Sequence, residues 1–125
     1  MIYLDTHVAA FLYAGELHRL PPKSKILVEQ EPLFISGTVL IELQYLFEIK
    51  RVALDAEHTY HILHTKCGVN LCKASLAEVS RIALSLSWTR DAFDRMIVAN
   101  AALTQKPLVT KDQMILQHYS RAVWE

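Results

Sequence analysis

Five short apolar runs limit what this chain can become: IYLD at 2–5, LFIS at 33–36, VNLCK at 69–73, PLVT at 107–110 and, as a possible last one, AVWE at 122–125. None alternates cleanly between apolar and polar residues, so none reads as a strand with one wet face. Segments with helical spacing lie between them. Residues 6–16 place Val8, Phe11 and Leu12 on one face. A second helix starts at the Pro21–Pro22 pair and ends before Pro32, and the most apolar helix covers 38–50. Asp55 caps the next helix and Gly68 ends it; Ser75 caps another. Another runs from about Asp91 to Gln105, and a short one follows Asp112. Apolar strands alternating with helices predict an α/β fold. It is an α/β/α sandwich whose central, mostly parallel sheet of four to five strands is covered on both faces. Ligands of such sheets bind beyond the carboxyl ends of the strands.

A length of 125 residues, 52% hydrophobic and 21% charged, suits one domain spanning 1–125 with a sizeable core. Thirteen basic residues balance thirteen acidic ones, so no global basic excess advertises a nucleic-acid partner. Any polyanion must be held by local charge. No apolar run approaches the roughly 18 residues that would span a bilayer, and no leader pattern opens the chain. Two cysteines, Cys67 and Cys72, favour a reducing, cytoplasmic setting over a disulfide framework.

Candidate chemistry resides in acids. Asp5 ends the first strand and Asp112 follows the fourth, the positions where a parallel sheet presents its ligand site. Taken singly, each reads as a helix cap. Glu42 sits in TVLIELQYL among apolar neighbours, where an unpaired buried carboxylate costs several kcal/mol, an order-of-magnitude figure. Asp91 and Asp94 open the segment TRDAFDRMIVANA. Asp91 suits the cap position, whereas Asp94 heads a stripe of Ile97, Val98, Ala101 and Ala102 that faces the interior. If the helices bring their early turns to the sheet edge, these acids converge. Such a cluster is stable mainly around a hard divalent cation, and all-oxygen ligands suit Mg²⁺ or Mn²⁺. Arg90, Arg95 and Lys111 adjoin the acids and can bind the phosphates of a substrate strand, with Arg95 equally able to pair with a neighbouring acid.

YLDTHV, SGTVLIELQYL, TRDAFDRMIVANA and PLVTKDQMI occur in an order and spacing that resemble a PIN domain, most closely a VapC-type toxin ribonuclease, over nearly the whole chain. RDAFDRMIVANA is the specific piece. The resemblance implies a toxin of a toxin–antitoxin pair, an endoribonuclease dependent on Mg²⁺ or Mn²⁺ that leaves a 5′-phosphate and a 3′-hydroxyl. It also implies a cognate antitoxin and a homodimer. Carried over residue by residue, Asp5, Glu42 and Asp94 match the metal ligands. Asp112 matches a fourth catalytic acid in direct or water-mediated contact. Thr6, Asp91 and Thr110 match positions beside the ligands. Ala92 stands where many relatives have proline, and both suit a first helical turn.

The alternatives are a catalytically inactive binding module of the same fold and another phosphoryl-transfer α/β protein. A dehalogenase-like phosphatase would need a second acid two residues after Asp5, where His7 stands, and a receiver domain would need an acid ending a middle strand. His58, His61, His64 and Cys67 recur every three residues, which drifts around a helix and makes a poor zinc set. Phe11, Leu12, Leu40, Leu43 and Phe47 supply core, or else a groove or dimer face.

Overall fold

A computed structural model describes all residues, 1–125. Five strands, β1 (Ile2–Leu4), β2 (Leu33–Ile35), β3 (Val69–Leu71), β4 (Leu108–Val109) and β5 (Ala122–Val123), form one sheet in the order β3-β2-β1-β4-β5. Every pairing is parallel. Seven helices link and cover them: α1 (Thr6–Tyr13), α2 (Pro22–Gln30), α3 (Gly37–Glu48), α4 (Ala56–Cys67), α5 (Leu76–Ala83), α6 (Ala92–Leu103) and α7 (Gln113–His118). The α/β sandwich and the parallel sheet are therefore as the apolar runs predict. The strands are shorter than these runs, two or three residues each.

Chain order explains where a site belongs. From β1 the chain builds outward through β2 and β3, then returns to add β4 and β5 on the other side of β1. The reversal falls between β1 and β4. Their carboxyl ends flank the crevice that a doubly wound sheet leaves open at its switch point.

The core lies on both faces of the sheet. Ile35, Val8, Val39, Leu63, Val69, Leu108 and Ile115 are wholly buried. Burying one such side chain is worth about 1.5–3 kcal/mol. Phe11, Leu12 and Leu43 belong to this core; Leu40 is half-buried, and Phe47 alone of the five is exposed. The apolar surface of α3 consists instead of Ile41, Tyr45, Phe47 and Ile49.

Helix ends follow local chemistry. Asp55, Ser75, Asp91 and Asp112 each accept a hydrogen bond from the backbone N–H three residues on, satisfying a first-turn donor. At the end of α3, Lys50 N–H bonds to Phe47 O and Arg51 N–H to Leu46 O, the paired bonds of a Schellman motif. This puts Lys50 in the left-handed region at φ 64°, a conformation that favours glycine.

Candidate active site

Asp5 leaves β1 with its backbone N–H bonded to Val109 O of β4, so the switch point itself fixes its position. The residue is 7% exposed. One oxygen accepts from Thr6 N–H at 2.7 Å and the other from the Thr110 hydroxyl at 2.5 Å. Thr110 is fully buried and acts twice: its Oγ1 also accepts from Asp112 N–H at 3.1 Å. One hydroxyl thus couples the acids that follow β1 and β4. Thr6, likewise buried, donates its hydroxyl to Glu42 Oε1 on α3. Asp91 caps α6 by accepting from Asp94 N–H at 3.1 Å. That bond sets the first turn of the helix and the direction in which the Asp94 side chain leaves it.

The five acids line one pocket of about 250 Å³ together with His7 and Lys111, and no hydrophobic residue contributes to its wall. A hollow of about 610 Å³ at the α3–α4 turn is wider, but it gathers no convergent set of acids. Burial pushes the Asp5 and Glu42 carboxyls above their ordinary values, against the lowering effect of their threonine hydrogen bonds. Asp94 is pushed up to about 7, by burial and then by the charges of Asp91, Asp112, Asp5 and Glu42. Each carboxylate therefore raises the cost of ionising the others.

The carboxylates meet in one pocket without three of them closing to the spacing of a ligand cage. The donor set nevertheless fits a hard divalent cation. The five acids offer carboxylate oxygens alone. The oxygens of Asp94 accept no protein hydrogen bond, and Glu42 retains Oε2. A dication would offset both the burial and the mutual repulsion that lift Asp94.

Sequence reasoning brought Asp5, Glu42, Asp94, Asp91 and Asp112 to one place, and the structure puts them there, with Thr6 and Thr110 bonded to the acids. Lys111 lines the pocket as well. Arg90 is exposed and donates to Ser87 O. Arg95 pairs with no acid; its guanidinium donates to Thr89 O at 2.8 Å and Ala83 O at 3.5 Å, tying the end of α5 and the α5–α6 connection to α6. His7 was not singled out, although it stands two residues after Asp5 and lines the same pocket. The histidines of α4 are engaged separately. His58 bonds to Asp55 and His64 to Val69 O, and no metal-ligand cluster includes them.

The sequence matches the family model described as PIN domain over residues 2–121. No curated protein matches it. Among solved structures, it is similar to VapBC2 from Rickettsia felis, determined bound to a DNA fragment from its promoter, with TM-score 0.66 and 19% identity over 100% of this chain and 98% of that one. A toxin–antitoxin complex from Klebsiella pneumoniae matches with TM-score 0.66 and 16% identity, covering 98% and 96%. VapBC-1 from nontypeable Haemophilus influenzae matches with TM-score 0.58 and 18% identity, covering 100% and 97%. At these identities the likeness is one of fold.

Proposed function

Because the chain belongs to the PIN-domain family, we propose that its acidic pocket is the active site of a metal-dependent endoribonuclease, the toxin of a toxin–antitoxin pair. The observation that carries this reading is the convergence of five carboxylates from four separate segments on one pocket with no hydrophobic lining. Asp5, Glu42 and Asp94 would hold Mg²⁺ or Mn²⁺, with Asp112 joining directly or through water. A bound dication supplies a water of lowered pKa and offsets charge on the scissile phosphate.

The chain's own residues do the positioning. Thr110 and the Thr6 N–H fix the Asp5 carboxylate, the Thr6 hydroxyl fixes Glu42, and Asp91 aims Asp94 through the first turn of α6. Such support keeps ligands within the narrow tolerance that catalysis needs. Lys111 at the pocket and Arg90 at the head of α6 bind phosphates that flank the scissile bond.

A cognate antitoxin fits this reading, since the similar folds from Klebsiella pneumoniae and Haemophilus influenzae come from structures named as toxin–antitoxin or VapBC complexes. A homodimer through the exposed apolar residues of α3 and α5, Ile41, Leu76 and Leu84 among them, fits it too. Both cysteines are free, and no helix is long and apolar enough to cross a membrane; cytoplasmic RNA is the substrate proposed. RNA cleavage should require Mg²⁺ or Mn²⁺, stop in EDTA, and fall at least about a hundredfold in Asp94→Asn, the scale of removing one catalytic group. Undiminished cleavage by that variant would refute the assignment.

A further inference from the structure

An active site built of carboxylates repels the polyanion it is meant to cut, so the cations that bring the strand in must be found. Two of the three suggested by sequence are partly committed elsewhere: Arg90 to Ser87 O, Arg95 to Thr89 O and Ala83 O. The acidic pocket has a second neighbour. His7 lines both that pocket and an adjoining groove of about 380 Å³ between α1 and the loop after α3.

The groove joins an apolar wall to cationic edges. Ala10, Phe11, Leu46 and Val52 contribute the wall, and Arg19 and Arg51 the edges. The Arg19 guanidinium lies 4.1 Å from the Phe11 ring centroid, and Lys111 Nζ, at the acidic pocket, lies 5.4 Å from the same ring. Positive charge therefore continues from the acids into the groove. Glu16 offsets part of it, holding Arg19 at 3.0 Å. Arg51 is exposed and takes part in none of the chain's ion pairs. Its place is set by a strained turn: Lys50 adopts φ 64°, and Arg51 N–H closes on Leu46 O at 2.8 Å. A left-handed non-glycine costs roughly 1 kcal/mol, so the chain departs from the relaxed geometry at the residue that aims Arg51.

We propose that this groove holds the single-stranded RNA flanking the scissile phosphate, with Arg51 and Arg19 on the backbone and one unstacked base against the apolar wall. The proposal rests on the ribonuclease reading and adds the path of the strand and its unpaired state. A groove of this volume admits a base, and an unstacked base is what single-stranded RNA offers to such a site. Cationic side chains beside an apolar wall are how proteins hold single strands without reading their sequence.

The test is fluorescence anisotropy with a labelled mixed-sequence single-stranded oligoribonucleotide of about twelve nucleotides, measured in EDTA so that the probe stays whole, across a salt series. Arg51→Ala should weaken binding about fivefold and flatten the slope of log affinity against log salt by about 0.7, the loss of one phosphate contact to a single strand. Arg51→Lys should recover most of both. Arg81→Ala, with the same charge change on α5, should alter neither. The blunt-ended duplex of the same sequence should bind more weakly than the single strand. Parental RNA affinity and salt slope in Arg51→Ala would overturn the proposal and leave the groove to a peptide occupant. A duplex bound as tightly as the single strand would overturn it as well. Metal-dependent cleavage that Asp94→Asn abolishes, alongside an inert Arg51→Ala, would sink the groove alone; absence of any RNA binding or cleavage by the parent would sink the ribonuclease reading with it.

Discussion

Replacing Asp94 by asparagine should stabilise the metal-free protein while removing its response to metal. Asp94 ionises at about 7 in the fold, against an ordinary 3.8. A raised carboxyl pKa means that the fold favours the protonated form. Asp94 therefore costs nothing below about pH 4, costs progressively more as pH climbs, and carries its full penalty above about 7. Three units correspond to about 4 kcal/mol as a ceiling. Solvent in the open pocket screens the charge and lowers this to about 1–2 kcal/mol. The carboxylate also lies in the first turn of α6, where the helix dipole returns about 0.3–1 kcal/mol that the amide forgoes. The net gain in Asp94→Asn at about pH 8 in EDTA is about 1 kcal/mol, or about 3–6 °C in Tm for a chain of this size. At about pH 3, below the ordinary carboxyl value, the difference should vanish, since the parental carboxyl is neutral there in folded and unfolded chains alike. Saturating Mn²⁺, at about a hundred times Kd, should raise the parent by about 2.7 kcal/mol and the variant hardly at all, reversing their order. Differential scanning fluorimetry at two pH values, with and without Mn²⁺, measures all four quantities. A variant that melts below the parent in EDTA at about pH 8, or that gains as much from Mn²⁺, would refute the reasoning.

Other perturbations follow from the same geometry. Thr110→Val removes a buried hydroxyl that donates to Asp5 and accepts from Asp112 N–H, and should cost about 2–3 kcal/mol in urea unfolding while weakening metal binding. A loss below about 0.5 kcal/mol would mean that the hydroxyl couples nothing. Lys50→Gly relaxes the left-handed turn after α3 and should raise stability by about 0.5–1 kcal/mol by the same measurement; a decrease would mean that the lysine side chain matters more than its backbone. In EDTA the parent should lose stability steadily between about pH 4 and 7, because Asp5, Glu42 and Asp94 all ionise late in the fold, and Mn²⁺ should flatten that decline. Stability that rises over this interval in EDTA would contradict the pocket's electrostatics.

Much of this architecture is legible in the sequence because its causes are local. Ser75 before LAEV and Asp91 before AFD satisfy first-turn donors wherever they occur, and both cap helices here. Apolar runs without alternation leave a sheet covered on both faces as the economical solution, and the strand-end rule then places Asp5 and Asp112 at one edge. What the sequence does not disclose depends on distant partners. Thr6 grips Glu42 across 36 positions, and Thr110 grips Asp5 across 105. Arg95 stands beside acids in sequence, yet its guanidinium bonds to a carbonyl at the end of α5 and another in the α5–α6 connection, a geometry no spacing encodes. His7 and Arg51 escape a motif search for the same reason: only folding brings the loop after α3 across from α1.

In the proposed site, acids from separate segments share a divalent ion at the switch point of the sheet. Electron paramagnetic resonance of Mn²⁺ titrated with protein reads it directly, since bound ion leaves the sharp six-line signal of the free one. The parent protein should deplete that signal, and Asp5→Asn and Asp94→Asn, both still folded, should not. A free-ion signal undiminished by the parent, or depleted equally by both variants, would contradict it.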